Sequence, residues 1–428
     1  MRFAVPTRDV VVRAHAERFL RTETRVPRVD LALLADALPE QPMVYWAPGD
    51  GPATLGLGAA LRITGRGGSR FATLRDAART LPAWVELFCG FSFSPGSEGA
   101  FGDALAVLPR FLLRESGNET VLTTVLDPQR TDEVAEVHAQ LATLSDAMHR
   151  LRSPRKTTRY ASDGPDEAQR FEALVARARD AILAGAFAKV VVHRQTRLLA
   201  STHTPGEALA FLRESQPNST GYAFRLDGST FLGATPERLV RRTGDTLRAD
   251  VLAGSLPRDA GERDPAALLE SAKDRGEHEL TRAAIAGVLA PLCSRYVEDG
   301  PHVQTLPHLY HLHTAVEGQL ARPTHVLDLV EALHPTPAVG GSPRSEALAF
   351  IAEAEPEGRG WYAAPVGWYR PDGDGDFSVA LRCALVEPGA VTLYAGAGIV
   401  AESEPARELA ETASKRRAIA NAFGLEFL

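Results

Sequence analysis

Residues 403–425, SEPARELAETASKRRAIANAFGL, read as one helix from start to finish. Ser403 or Glu404 can cap it, Pro405 suits the first helical position, apolar residues recur through Leu409, Ala413, Ala420 and Phe423, and Gly424 stands where a C-terminal stop belongs. Glu408 and Glu411 are three residues apart and Glu411 and Lys415 four apart, so two carboxylates and an ammonium point to one side. Alone, such a face reads as a solvated, salt-bridged surface. A second acidic pair at helical spacing, Asp274 and Glu277, shifts the reading. Two such pairs can converge on one hard cation, and Mg²⁺ takes oxygen ligands, commonly one or two protein carboxylates with water and substrate filling the shell.

Upstream of that helix, residues 377–386 and 390–400 read as paired strands joined by a Glu-Pro-Gly turn, the second running through Gly396 and Gly398 into the helix. Arg382 lies inside the otherwise apolar SVALRCALV; a guanidinium stays charged when buried and so needs an anion. In LHPTPAVGG (333–341) two prolines and two glycines exclude regular helix, and His334 there is a core hydrogen-bonder or a substrate contact. Ser271-Ala-Lys-Asp274 is a capping box opening a helix with Ile285, Val288, Leu289 and Leu292 as its apolar stripe. The helix dipole accounts for Asp274 in the first turn, and less well for Glu277.

Residues 247–252 form a strand closing on Ala253-Gly254-Ser255, whose glycine lets backbone amides approach an anion. FLGATPERLV (231–240) sets Glu237 at a turn between strands, where by itself it reads as a surface residue. KVVVHR (189–194) is a buried strand; Lys189 at its start costs desolvation unless its ammonium is paired or neutral. His308, His311 and His313 fit no standard zinc spacing, and no P-loop or dinucleotide fingerprint occurs.

The 428 residues, 44% hydrophobic and 24% charged, describe an ordinary globular chain. A net charge of −7 argues against a polyanion binder. Three dispersed cysteines, the lack of a signal-peptide core and the lack of any run of about 18 apolar residues point to the cytoplasm and away from membranes. The first third is strand-like, with runs at 43–46, 53–63, 88–93, 107–113 and 121–125. The polar, then Pro/Gly-rich stretch 150–166 is the best connection between halves, ahead of a helix at 167–183.

In this order, AKVVVHR (188–194), GATPERL (233–239), DVLAGSLPR (250–258), KDRGEHEL (273–280), LHPTPAVGG (333–341), DFSVALRCALV (376–386), YAGAGIVAESEP (394–405) and ELAETASK (408–415) resemble the motifs of the chorismate-utilising enzymes. Within them they are similar to the isochorismate synthases of menaquinone and catecholate-siderophore pathways. The resemblance is strong over about 181–425 and weaker at FCGFSF and LPRFLL in the N-terminal third. It implies one α+β chorismate-binding domain over 1–428, with 1–150 less characteristic and 167–428 the catalytic core: a large two-layer antiparallel β-sheet sandwich with outer helices.

By the same resemblance, Lys189 activates water for attack at C2 of chorismate and Glu237 protonates the departing C4 hydroxyl. Glu277 and Glu411 are the direct Mg²⁺ ligands, with Asp274 and Glu408 nearby or acting through water. Arg382 and Lys415 contact the enolpyruvyl carboxylate, with backbone around Gly396, Gly398, Gly254 and Ser255 adding hydrogen bonds and His334 in the active site. Two unit charges 4 Å apart repel by about 4 kcal/mol at an effective dielectric near 20, so these carboxylates could hardly face a substrate carboxylate without a cation between them.

Anthranilate synthases usually carry glutamine where Lys189 stands, and aminodeoxychorismate synthases carry a lysine where this chain has Ala253. Water is therefore the expected nucleophile and no glutaminase subunit is expected; a monomer is. Salicylate synthases share the lysine and glutamate and remain the alternative. A silent scaffold homologue would be expected to have lost one of Lys189, Glu237, Glu277 or Glu411.

Overall fold

The computed structural model describes residues 19–427, apart from positions 98, 128–132, 152–158, 162–164, 200–202, 259–263 and 308. Most of the expected connection at 150–166, and His308, lie outside the described residues. Among the described residues eighteen strands join in one hydrogen-bonded network. Its branch point is the long strand Ala104–Ser116. One edge pairs with Thr54–Gly65, while the other pairs first with Leu87–Phe91 and then with Glu119–Leu126.

From the first edge the sheet continues through Met43–Ala47, Thr220–Leu226, Ser229–Thr235, Cys383–Glu387 and Ala390–Ile399 to Lys189–Leu199. From Leu87–Phe91 it continues through Pro365–Tyr369, Gly375–Val379, Arg238–Thr243, Thr246–Pro257 and Leu309–Leu320 to Cys293–Thr305. Every pairing in this network is antiparallel, and the result is the two-layer α+β architecture expected from the sequence. A separate pair, Arg159–Ala161 with Leu425–Phe427, is parallel.

Alternation along single strands builds two cores. Val44 and Trp46 face the space between the layers, with Val190, Val192, Phe224 and Phe377. Their neighbours Met43 and Tyr45 face the helices, with Leu209, Leu212, Ile419 and Phe423, as a period of two requires. Among the described residues no helix is long and apolar enough to cross a membrane.

The two acidic helices form where the sequence places them. Ala272–Leu289 is capped by Ser271, whose hydroxyl accepts from the Asp274 amide and donates to the Asp274 carboxylate. Pro405–Ala422 begins on its proline, and Gly424 at φ +66° follows its end. Glu404 is at the cap without a side-chain bond, and the Ser403 hydroxyl instead accepts from the Val400 amide at 3.2 Å.

Two expectations need correction. Residues 377–386 are not one strand: Gly375–Val379 and Cys383–Glu387 are separate, and between them Arg382 takes φ +50°. The strand expected at 247–252 runs on to Pro257, with Gly254 as a bulge at φ +80° rather than a closing turn.

Candidate active site

Lys189 opens its strand wholly buried, with Nζ 2.9 Å from Glu277 Oε1 on the helix Ala272–Leu289. The neighbouring strand must leave room for this pair. A Cβ on Gly398 would lie 2.8 Å from Glu277 Oε1 and 3.1 Å from Lys189 Cε, so only glycine fits without displacement. Burial pushes the Glu277 carboxyl up, but the adjacent Lys189 ammonium outweighs it and leaves the group below its ordinary value.

Glu237 stands in the turn between Ser229–Thr235 and Arg238–Thr243. Its amide donates to Thr235 Oγ1 at 3.2 Å and its carbonyl accepts from the Val379 amide at 3.0 Å. The residue is 5% exposed, against the surface position that its motif alone suggests. Burial pushes its carboxyl up to about 8, and Lys189, Arg382 and Lys415 only partly offset that. At neutral pH such a group holds a proton it can donate.

The same cavity holds two cationic groups, Arg382 and Lys415. The positive φ at Arg382 turns its side chain into the cavity, where Nη2 is 3.4 Å from His311 Nε2. Burial, then the charges of Arg382 and Lys415, depress His311 to about 3. The ring is thus neutral. Its Nδ1 lies 2.9 Å from Ser255 Oγ and 3.3 Å from the Gly254 carbonyl. Lys415 donates to the Gly396 carbonyl at 3.1 Å and pairs with Glu411 at 2.5 Å.

Lys189's strand neighbour Val191, together with Glu237, Ser255, Glu277, His311, Tyr362, Arg382, Gly396, Gly398 and Lys415, lines one cavity of about 60 Å³. His311 and Tyr362 were not singled out for this site. His311 enters because Ser255 pairs with it across two strands, and Tyr362 because it stacks on Tyr394 at 5.4 Å. Neither contact has a short-range sequence signal.

His334 is placed elsewhere. It is buried with Nε2 donating to the Phe93 carbonyl at 3.0 Å, and burial holds its ring near 3. The core reading of His334 replaces that of substrate contact. Gly254 is not among the residues lining the cavity, and a Cβ there would lie 3.1 Å from Asp274 Cβ.

The four acidic residues share one electrostatic field. Burial raises the Asp274 carboxyl, with Glu277 and Glu411 adding to it, and burial and then Glu411 raise Glu408. Lys273 lies 3.4 Å from Glu408 and is held above its ordinary value, because Glu408, Glu411 and Glu277 together outweigh its burial. Among the described residues no three carboxylate, imidazole or thiol groups stand close enough to grip a metal as placed. Each of Glu277, Glu408 and Glu411 instead pairs with a lysine. The all-carboxylate donor set from two helices nonetheless has the chemistry a hard cation such as Mg²⁺ requires.

A family model described as "chorismate binding enzyme" matches residues 9–424. The salicylate biosynthesis isochorismate synthase of Pseudomonas aeruginosa is 38% identical over 414 residues, covering 90% of this chain and 85% of that protein. The isochorismate synthase EntC of Escherichia coli is 38% identical over 267 residues, covering 60% of this chain and 67% of its own length. Among solved structures, the menaquinone-specific isochorismate synthase MenF from Escherichia coli superposes with a TM-score of 0.77 at 26% identity, over 95% of this chain and 94% of that one.

Proposed function

The chain belongs to the family of chorismate-binding enzymes, and from that premise we propose that it is an isochorismate synthase, adding water at C2 of chorismate as the C4 hydroxyl departs. Atoms balance without a co-reactant: one hydroxyl enters, one leaves as water, and the ring double bonds shift. The observation that carries the reading is a cavity in which a carboxyl held near 8, that of Glu237, stands with Arg382, Lys415 and Glu277, the last paired with the buried Lys189.

In this reading Glu237 delivers the proton to the leaving hydroxyl, and Lys189 takes one from the attacking water. An ammonium paired at 2.9 Å with Glu277 has no lone pair to offer, so base action requires Glu277 to turn away and Lys189 to be neutral. A Mg²⁺ held by Glu277 and Glu411, with Asp274 and Glu408 beside them, would supply the positive charge that lets these carboxylates face a carboxylate of the substrate. Arg382 offers the second carboxylate a planar fork and Lys415 a point charge. A cavity of about 60 Å³ is small for such a substrate. For Glu277 and Glu411 to hold a Mg²⁺, the Lys189–Glu277 and Lys415–Glu411 pairs would have to open.

Incubation with chorismate and Mg²⁺, with products separated by chromatography, tests this directly. Isochorismate should accumulate without pyruvate. Stoichiometric salicylate and pyruvate would move the assignment to a salicylate synthase, and no consumption of chorismate would sink both.

A further inference from the structure

A second cavity, about 280 Å³, shares no lining residue with the catalytic one. It lies on the outer part of the sheet, between the strands Leu20–Pro27, Ala104–Ser116 and Glu119–Leu126 and the ends of Leu87–Phe91 and Pro365–Tyr369. Leu108, Pro109 and Val125 give it an apolar floor and Trp84 an aromatic wall. Its charged groups are Arg21, Arg114 and Arg370 against Glu23 and Glu86, which leaves one positive charge in excess.

These groups are not equivalent. Arg114 is committed, with Nη2 2.5 Å from Glu86 Oε2 and Nε donating to Thr54 at 3.2 Å. Arg370 approaches Glu86 only to 3.9 Å and rests over Trp368 at 5.1 Å. Arg21 stays 3.9 Å from Glu23 and rests over Trp84 at 5.1 Å. Among the described residues neither guanidinium makes a side-chain hydrogen bond. Stacking fixes a guanidinium plane and leaves its N–H edge for an acceptor, and a carboxylate matches that edge with two parallel bonds.

We propose that this cavity is a binding site for a small aromatic monocarboxylate. The carboxylate lies between Arg21 and Arg370, and the ring lies on the apolar floor against Trp84. The volume falls just below the roughly 300–1,000 Å³ of drug-sized sites, which is room for one ring and a short substituent.

The test is fluorine NMR of 4-fluorobenzoate titrated into the full chain. Saturable binding is expected, weakened at least about tenfold, or roughly 1.4 kcal/mol, by the double substitution Arg21→Gln/Arg370→Gln. Trp84→Leu should weaken it separately. Both variants touch nothing in the catalytic cavity, so turnover of chorismate should be unchanged, which also verifies that they fold. Lys415→Ala should leave the fluorobenzoate affinity intact, and excess chorismate should not displace the probe. Displacement by chorismate, or loss in Lys415→Ala with the arginine variants unaffected, would place the probe in the catalytic cavity and overturn the proposal. So would the absence of saturation, or equal competition by inorganic phosphate.

Discussion

Two buried ionic assemblies grow from the same strand, four residues apart, and they behave in opposite ways. At His193 the carboxylate is closely held. Glu355 takes two bonds from Arg359, at 2.6 and 2.9 Å, accepts the His193 amide at 3.0 Å and lies 2.8 Å from His193 Nδ1. Arg359 also donates to the carbonyls of Val339 and Val191, both at 2.7 Å. Burial raises the Glu355 carboxyl, but Arg359 and His193 overcome it and hold the group near 2. Around Lys189 the cations offset burial only in part: Glu237 is pushed up to about 8, and Asp274 and Glu408 are also raised. Similar residues at similar depth thus differ in how far cations offset burial, and the set with raised carboxyls is the one proposed for chemistry. The Glu355 set fixes the strand and the loop at Val339, two walls of the cavity.

The sharpest way to break this contrast is Lys189→Ala. Turnover should fall by about 10²–10⁴ or more while calorimetry still shows Mg²⁺-dependent chorismate binding; unchanged turnover would remove Lys189 from the base role. Next is Glu355→Ala, which strands Arg359. Denaturant unfolding should show a loss of about 3–5 kcal/mol, with the pH profile of residual turnover unmoved. A normal unfolding midpoint with an altered pH profile would mean that the Glu355 set is part of the chemistry after all. Smaller still, Glu411→Gln should raise the Mg²⁺ concentration needed for half-maximal turnover by about tenfold, and an ordinary Mg²⁺ response would refute its place as a ligand.

What could be read in advance follows the range of the interactions. The helix Pro405–Ala422 and the Ser271 cap were legible because their signals, proline, glycine and apolar spacing, act within a few residues. The break at Arg382 was not: Ala380 and Leu381 are as apolar as a strand interior, and the interruption arises only from how Gly375–Val379 and Cys383–Glu387 pair with different partners. The place of His311 depends on the Ser255 register, a contact between residues far apart in the chain. The raised carboxyl of Glu237 depends on its burial, and the charges acting on it, Lys189, Arg382 and Lys415, come from distant parts of the chain. Sequence left His334 between core hydrogen-bonder and substrate contact, because nothing local shows that the loop folds its histidine against Phe93.

The most direct reading of the contrast measures the raised carboxyl itself, spread as a shallow slope over several pH units. Glu237 titrates near 8 in the folded chain against an ordinary value of 4.5. Below pH 4.5 both folded and unfolded forms hold the proton. Between 4.5 and about 8 the unfolded chain releases it and the folded chain does not, so this residue's contribution to stability falls as pH rises and levels off once both forms are ionised. The slope can reach no more than about 1.4 kcal/mol per pH unit for one proton. Glu237→Gln removes the titration. Metal-free unfolding of both chains at pH 5, 7 and 9 should therefore show the variant gaining on the parent between 5 and 7, and by less per unit beyond 8. In the parent, the limb of turnover that depends on the protonated acid should decline above about pH 8. A stability difference that stays flat from pH 5 to 9 would show the carboxyl ionised throughout, and the proton for the leaving hydroxyl would have to come from another group.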